Sequence, residues 1–231
     1  MKSNKAKVLH QILGRPMIAY VVDTALAVAG NNVVLVVGHQ AQVVRETVAR
    51  QAELHYALQD KQLGTGHAVM CAMSALPEAT RHVVVLCGDV PLLGEKTLQR
   101  FVHDHRSYQR TLSVLAVRLS DPSGYGRIVQ DDQGLVTGIV EEADATRSEK
   151  TINLVNTGIY CIEKTFLESA LQQIRSDNAQ GEYYLTDIVG IAHKGHHSIG
   201  ITIGTDANEF RGVNSPEQLK AVEGLLPNTR S

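Results

Sequence analysis

The chain has 231 residues, 43% hydrophobic and 20% charged, which is enough to bury a sizeable core and far from the composition of a disordered segment. A net charge of −2 gives no electrostatic footing for a nucleic-acid polymer or an anionic membrane, and no apolar run approaches membrane-spanning length. The amino terminus lacks the hydrophobic centre of a signal peptide, and Cys71, Cys87 and Cys161 have neither metal nor disulfide spacing, the cysteine usage of a reducing, cytoplasmic protein.

Short apolar runs alternate with helical patterns through the first half. Val33–Val37 is a continuous run of β-branched residues and leucine that ends at Gly38. A helix is predicted from about Ala41 to Arg50, then a short strand at Leu54–Leu58 and a helix over Thr65–Ala75 opened by Gly64-Thr-Gly66. Val83–Leu86 reads as a buried strand and Glu95–His105 as a helix. Buried strands separated by helices predict an α/β fold with a doubly wound, mostly parallel sheet.

The pattern then changes to strands with little helix between them: Thr111–Val117, Gly126–Gln130, Leu135–Val140 and Val155–Ile162, with a hairpin turn at Asp131–Gly134. This predicts an antiparallel extension of the sheet. Two helices and a strand at Ser198–Ile203 lead to a last helix, whose start Ser215-Pro-Glu-Gln218 has the form of a capping box with proline at the first helical position. The whole chain reads as one unit in two parts, residues 1–110 and residues 111–231 with the closing helices. The pair His196-His197 lies in a polar, turn-like stretch and reads as solvated.

Two stretches carry chemistry. In His82-Val-Val-Val-Leu-Cys-Gly-Asp89 an acid stands just past the carboxyl end of a buried strand, where open α/β sheets bind ligands. Asp89 there either faces a cleft or shapes the turn before Pro91; the stretch alone does not choose. In Leu58-Gln-Asp-Lys-Gln-Leu-Gly-Thr-Gly-His-Ala68 a strand feeds a glycine turn that opens a helix. Its backbone amides suit a phosphate or a base edge, and Gln59 and Gln62 carry the donors and acceptors that a pyrimidine edge requires.

With these strings the chain resembles the uridylyltransferase domain of bacterial N-acetylglucosamine-1-phosphate uridylyltransferases. The resemblance runs in order through "KVLH" (residues 7–10), "LQDKQLGTGHA" (58–68), "GDVPLL" (88–93), "DPSGYGRIV" (121–129) and "GIVEEADAT" (138–146). It continues through "VNTGIY" (155–160), "NAQGEYYLTDIV" (178–189) and "GVNSPEQL" (212–219). It implies a Rossmann-like nucleotidyltransferase fold, with residues 1–110 as the nucleotide-binding part and 111–231 as the sugar-binding part and closing helices, and a Mg²⁺-dependent reaction in which N-acetylglucosamine 1-phosphate attacks the α-phosphorus of UTP. The products are UDP-N-acetylglucosamine, a precursor for peptidoglycan and lipopolysaccharide, and pyrophosphate. An oxygen nucleophile already anionic at neutral pH needs no strong base, so positioning and charge neutralisation carry such a reaction.

The resemblance assigns the metal to Asp89 and Asn214, a phosphate-contacting, catalytic role to Lys7, and uracil binding to Gln59, Gly64 and Thr65. It assigns the amino sugar to Gly126, Glu141, Asn156, Tyr184 and Thr186. Each also has a plainer reading on the residues alone. Asn214 suits a turn or cap before Ser-Pro, Lys7 and the pair Glu141-Glu142 suit a solvated surface, and Tyr184 and Thr186 suit packing at a helix start.

The match departs from the family at three points. The opening strand and glycine-rich turn, of the form Leu-x-x-Gly-x-Gly-Thr-Arg-Met, have no counterpart, since Met1 aligns with the last residue of that signature. The expectation is an amino-terminally incomplete copy, with a sheet short of a central strand, an anion site short of an amide nest and an arginine, and little turnover. Ala6 replaces a usual proline, and no hexapeptide repeats follow, so no acetyltransferase activity and no trimer are expected. Two other functions stay open: a nucleotidyltransferase for another sugar 1-phosphate or for TTP, or a binding protein for sugar nucleotides without turnover.

Overall fold

The computed structural model describes residues 5–49 and 53–226. A two-residue hairpin, β1 (Gln11–Ile12) and β2 (Arg15–Pro16), turns through Leu13 and Gly14, both at positive φ (50° and 80°), as the tightest antiparallel connections require. It runs directly into α1 (Met17–Ala29). Next come β3 (Val34–Val37), α2 (Ala41–Ala49) and β4 (His55–Leu58), with β3 and β4 paired in parallel as a crossover helix demands.

After α3 (Thr65–Ala72) come β5 (His82–Val85), α4 (Glu95–Ser107), β6 (Leu112–Arg118), β7 (Arg127–Gln130), β8 (Val136–Val140) and β9 (Leu154–Glu163). The chain continues through α5 (Lys164–Leu171), α6 (Asp187–Lys194), β10 (Ile199–Ile203) and α7 (Pro216–Glu223). The main sheet has six strands in the order β10-β6-β9-β7-β8, with β5 also on β9. It is mixed: β10 and β6 run parallel, while β6, β5 and β7 all meet β9 antiparallel. The α/β architecture with an antiparallel extension is thus as the sequence predicts, and where a mostly parallel sheet is expected the described main sheet is mixed, because β9 meets β5, β6 and β7 antiparallel.

Strand β9 organises this sheet. One edge pairs with β6 along nearly its full length, while β5 takes the carboxyl half of the other edge and β7 meets Val155 near its start. A bulge opens in the β6–β9 ladder where Leu115 pairs Ile159 and Ala116 pairs Asn156, leaving Thr157 and Gly158 without opposite residues. Gly158 sits there at φ +77°, and the Thr157 hydroxyl donates to the Leu115 carbonyl at 2.6 Å.

Alternation along β6 loads both faces. Leu112, Val114 and Ala116 pack with Leu167, Ile188 and Val189 from α5 and α6, while Leu115 and Val117 pack with Leu98 and Phe101 of α4. The pair β3–β4 forms a separate sheet, seated on Ile18 and Val22 of α1 and Val48 of α2. Among the described residues, β3 and β5 each have one ladder partner, so the strand system is in two pieces at this point. The capping box at Ser215–Gln218 is present, with Ser215 Oγ accepting from the Gln218 N–H at 3.2 Å. Among the described residues no helix is long and apolar enough to cross a membrane.

Candidate active site

The loop after β5 delivers Asp89 to one end of the sheet. Its carbonyl accepts from the Val213 N–H at 2.9 Å, tying residues 212–214 to it from the far end of the chain. Gln218, the last member of the capping box, accepts from the N–H groups of both Asn214 and Ser215 through Oε1, at 2.7 and 3.1 Å. The cap therefore aims Asn214 as well as starting α7. Lys7, on a 3-10 turn at Lys7–Leu9, reaches both residues. Its ammonium donates to Asp89 Oδ2 at 2.5 Å and to Asn214 Oδ1 at 2.7 Å. The two oxygens share this one cation. Oxygen donors of this kind suit a hard divalent cation. Among the described residues no group of three His, Cys, Asp or Glu side chains could hold a metal by itself.

Cys87, two residues before Asp89, sets its thiol against the Gly158 carbonyl at 3.5 Å. Burial pushes its thiol up to about 12, Asp89 and Glu141 add to the effect, and Lys7 opposes it. The thiol stays protonated at neutral pH and is no nucleophile.

The glycine turn between β4 and α3 is laced to the loop before α6. Tyr183 N–H donates to Leu63 O at 2.8 Å, Gly66 N–H to Tyr183 O at 2.7 Å, and Leu185 N–H to the Thr65 hydroxyl at 3.0 Å. Gly64, at φ +108°, lies against the Tyr183 backbone, so closely that a Cβ would come within 2.6 Å of the Tyr183 carbonyl oxygen. Glycine here serves the join between the two loops. The backbone of Gln59 is held by its N–H donating to Val37 O at 2.8 Å, and its side chain is buried.

A third group gathers at the ends of β7, β8 and β9. Asn156 N–H donates to Gly126 O at 2.9 Å, and a Cβ on Gly126 would press on Glu141 Oε2 and Ile139. Glu141 Oε1 accepts from the Thr186 hydroxyl at 3.0 Å. Burial raises the Glu141 carboxyl above its usual range, Asp187 and Asp144 add to this, and the Thr186 hydrogen bond opposes it. The Asn156 side chain spans Gly158 N–H (2.9 Å) and the Tyr160 hydroxyl (2.7 Å), and the Tyr184 hydroxyl donates to Gln180 Oε1 at 2.8 Å.

The structure therefore brings Lys7, Asp89 and Asn214 into direct contact and gathers Gly126, Glu141, Asn156 and Thr186 into a second group. Gln59, Gly64 and Thr65 form a third, joined to the second by the 63–66 and 183–185 backbone. Tyr184 lies in that linking segment. Two neighbours of these groups escape the sequence reading. Arg127 is almost wholly buried, and its guanidinium pairs with Glu142 at 2.7 Å and with the Tyr125 carbonyl. Glu142 also accepts from the Gly124 N–H at 3.3 Å, which clamps the Gly124–Gly126 turn beside Glu141. An arginine at an inward strand position, next to a glycine turn and facing paired acids, was the available signal. The other neighbour, His67, contacts the Gln59 side chain.

The profile of the nucleotidyl transferase family matches residues 2–205. The bifunctional protein GlmU of Geotalea uraniireducens (strain Rf4) is 44% identical over 230 residues, 98% of this chain and 50% of that protein. GlmU of Desulfotalea psychrophila is 40% identical over 231 residues, covering 100% of this chain and 68% of that protein. The chain spans about half the length of the Geotalea protein and of its Trichlorobacter lovleyi counterpart. Among solved structures, UDP-glucose pyrophosphorylase complexed with UDP-glucose superposes with a TM-score of 0.74 at 16% identity. The match covers 94% of this chain and 89% of that one, a likeness of fold.

Proposed function

The chain belongs to the nucleotidyl transferase family, and on that premise we propose that it transfers a uridylyl group from UTP to N-acetylglucosamine 1-phosphate. A phosphate oxygen of the sugar phosphate forms a bond to the α-phosphorus, the bond from that phosphorus to the β-bridging oxygen breaks, and pyrophosphate leaves with the electron pair. The product is UDP-N-acetylglucosamine, made in the cytoplasm for cell-envelope precursors. The observation that carries this reading is the convergence of Lys7, Asp89 and Asn214 on one point at the sheet's end.

No proton need move, so the burden on the protein is to bring two polyanions together in line. Asp89 and Asn214 would hold Mg²⁺, leaving its other positions to phosphate oxygens and water; when bound it neutralises charge on the triphosphate. Lys7, now paired with those two oxygens, is the cation that turns to a phosphate when they are engaged. Gln59, Gly64 and Thr65 take the uracil. Glu141, with Gly126, Asn156, Tyr184 and Thr186, meets the amino sugar, where carboxylate, amide and hydroxyl groups match hydroxyls fixed in direction.

The test is calorimetric binding of UTP with Mg²⁺, together with pyrophosphate release measured over a panel of nucleoside triphosphates and sugar 1-phosphates. UTP with N-acetylglucosamine 1-phosphate should lead the panel. Asp89→Asn should lower UTP turnover about a hundredfold, the scale for removing an electrostatic partner of the reacting charge. A different leading pair, or an Asp89→Asn protein as active as the parent, would overturn the reading.

A further inference from the structure

The Gln59 side chain is only 9% exposed, and both hydrogens of its amide nitrogen are taken. One goes to the Gly64 carbonyl at 3.0 Å and the other to His67 Nδ1 at 3.1 Å. The Gly64 carbonyl can only accept, so the nitrogen and not the oxygen of the carboxamide must face it. For His67 to accept at Nδ1, its proton must sit on Nε2. That nitrogen points at Cys71 Sγ, 3.9 Å away, a weak but compatible acceptor. Turning the carboxamide over would set two oxygens against each other at Gly64. The remaining atom, Gln59 Oε1, accepts from no donor among the described residues, nor is it sealed from water as His10 Nε2 is.

From this arrangement, and resting on the proposed UTP reaction, we infer that His67 is a positioning residue that fixes the Gln59 carboxamide so that the base site presents a hydrogen-bond acceptor, selecting uracil over cytosine. Uracil carries a ring N–H at position 3 that can donate to Oε1. Cytosine carries a bare ring nitrogen there, and two acceptors would face each other. A site built to receive an N–H rejects the analogue that lacks it, because its own buried polar group is left unpaired. Thymine keeps the ring N–H, so this device does not exclude it.

The experiment measures Kd for UTP and for CTP, with Mg²⁺, on the parent protein, His67→Leu and His67→Asn. The parent should favour UTP. His67→Leu, which removes one of the two acceptors on the amide nitrogen and leaves the Gly64 carbonyl alone to orient it, should narrow the UTP/CTP ratio about fivefold, the worth of one neutral hydrogen bond. His67→Asn, whose side-chain oxygen can stand where Nδ1 stood, should restore most of it; a purely structural role would not separate the two variants in this way. A ratio unchanged in His67→Leu while UTP still binds overturns this inference alone; a parent protein that binds no UTP overturns the proposed function with it. Should His67→Leu not fold, nitrogen-15 spectra of the parent decide. A neutral His67 ring with Nδ1 bare supports the assignment, and one protonated at Nδ1 refutes it.

Discussion

Substituting Gly158 by alanine perturbs the bulge of the main sheet where it meets Cys87, two residues before the proposed metal ligand Asp89. Gly158 lies in the β9 bulge at φ +77°, and a Cβ there would run into Cys87 Sγ, which itself donates to the Gly158 carbonyl at 3.5 Å. Two costs add. A left-handed backbone at a residue with a Cβ costs about 1–2 kcal/mol. Forcing an extra carbon against a fixed neighbour costs about 1–3 kcal/mol more. The loss of about 2–5 kcal/mol corresponds to a Tm at least about 5 °C lower for a chain of this size. Denaturant unfolding of Gly158→Ala, Cys87→Ala and the double variant separates the terms. With Sγ gone, the overlap disappears and only the backbone term remains, so the cycle should show about 1–3 kcal/mol of favourable coupling. Because Cys87 lies two residues before Asp89, the same displacement should weaken UTP binding in Gly158→Ala and spare it in the double variant. Coupling below about 0.5 kcal/mol, within the additivity of independent sites, would refute the close-approach argument.

Two further outcomes test other parts of the molecule. His105 is wholly buried between the Ser113 hydroxyl (2.9 Å) and His82 (3.1 Å), and burial, then His82 and Arg110, hold its pKa down to about 4. Its neutral form is the folded form, so its contribution is complete above the unfolded value of 6.5 and is lost as pH falls from there toward 4. By pH 5 the parent should have lost about 2 kcal/mol relative to a His105→Gln protein; parallel urea-stability curves from pH 7 to 5 would contradict this. Glu142→Gln should loosen the clamp on the Gly124–Gly126 turn and raise KM for the sugar phosphate while leaving KM for UTP nearly unchanged, and steady-state kinetics showing equal rises in both would count against that role.

Much of the fold was legible because its elements carry strong local signals. The β-branched run at Val33–Val37, the apolar stretch Thr111–Val117 and the Asp131–Gly134 turn each map onto an observed strand or hairpin. Residues 11–32 carried no comparable signal. The helix α1 reads MIAYVVDTALAVA, apolar almost all round, so no polar stripe marks a helical period, and strands of two residues are too short to show alternation. Strand partners were illegible for a different reason: that β9 pairs with β5, β6 and β7 depends on contacts distant along the chain.

Within the candidate site, the place of Asp89 past a strand end left a cleft or a turn open, and the context of Asn214 is that of a helix cap. Both readings of Asn214 hold at once. Its N–H belongs to the cap through Gln218 Oε1, and its side-chain oxygen belongs to the Lys7 cluster. The cap supplies the rigidity, and the side chain supplies the donor. Gly64 shows the same economy: its lack of a Cβ brings the Tyr183 backbone close, and its carbonyl takes an amide hydrogen of Gln59. A residue that serves the join between two loops thus also orients the Gln59 side chain. The loop that carries the proposed base contacts is hydrogen-bonded, through Leu63, Thr65 and Gly66, to the segment that carries Tyr184 and Thr186. Any shift of one on binding must therefore move the other, so nucleotide and sugar-phosphate affinities should be coupled through these three bonds and not through the strands beneath them.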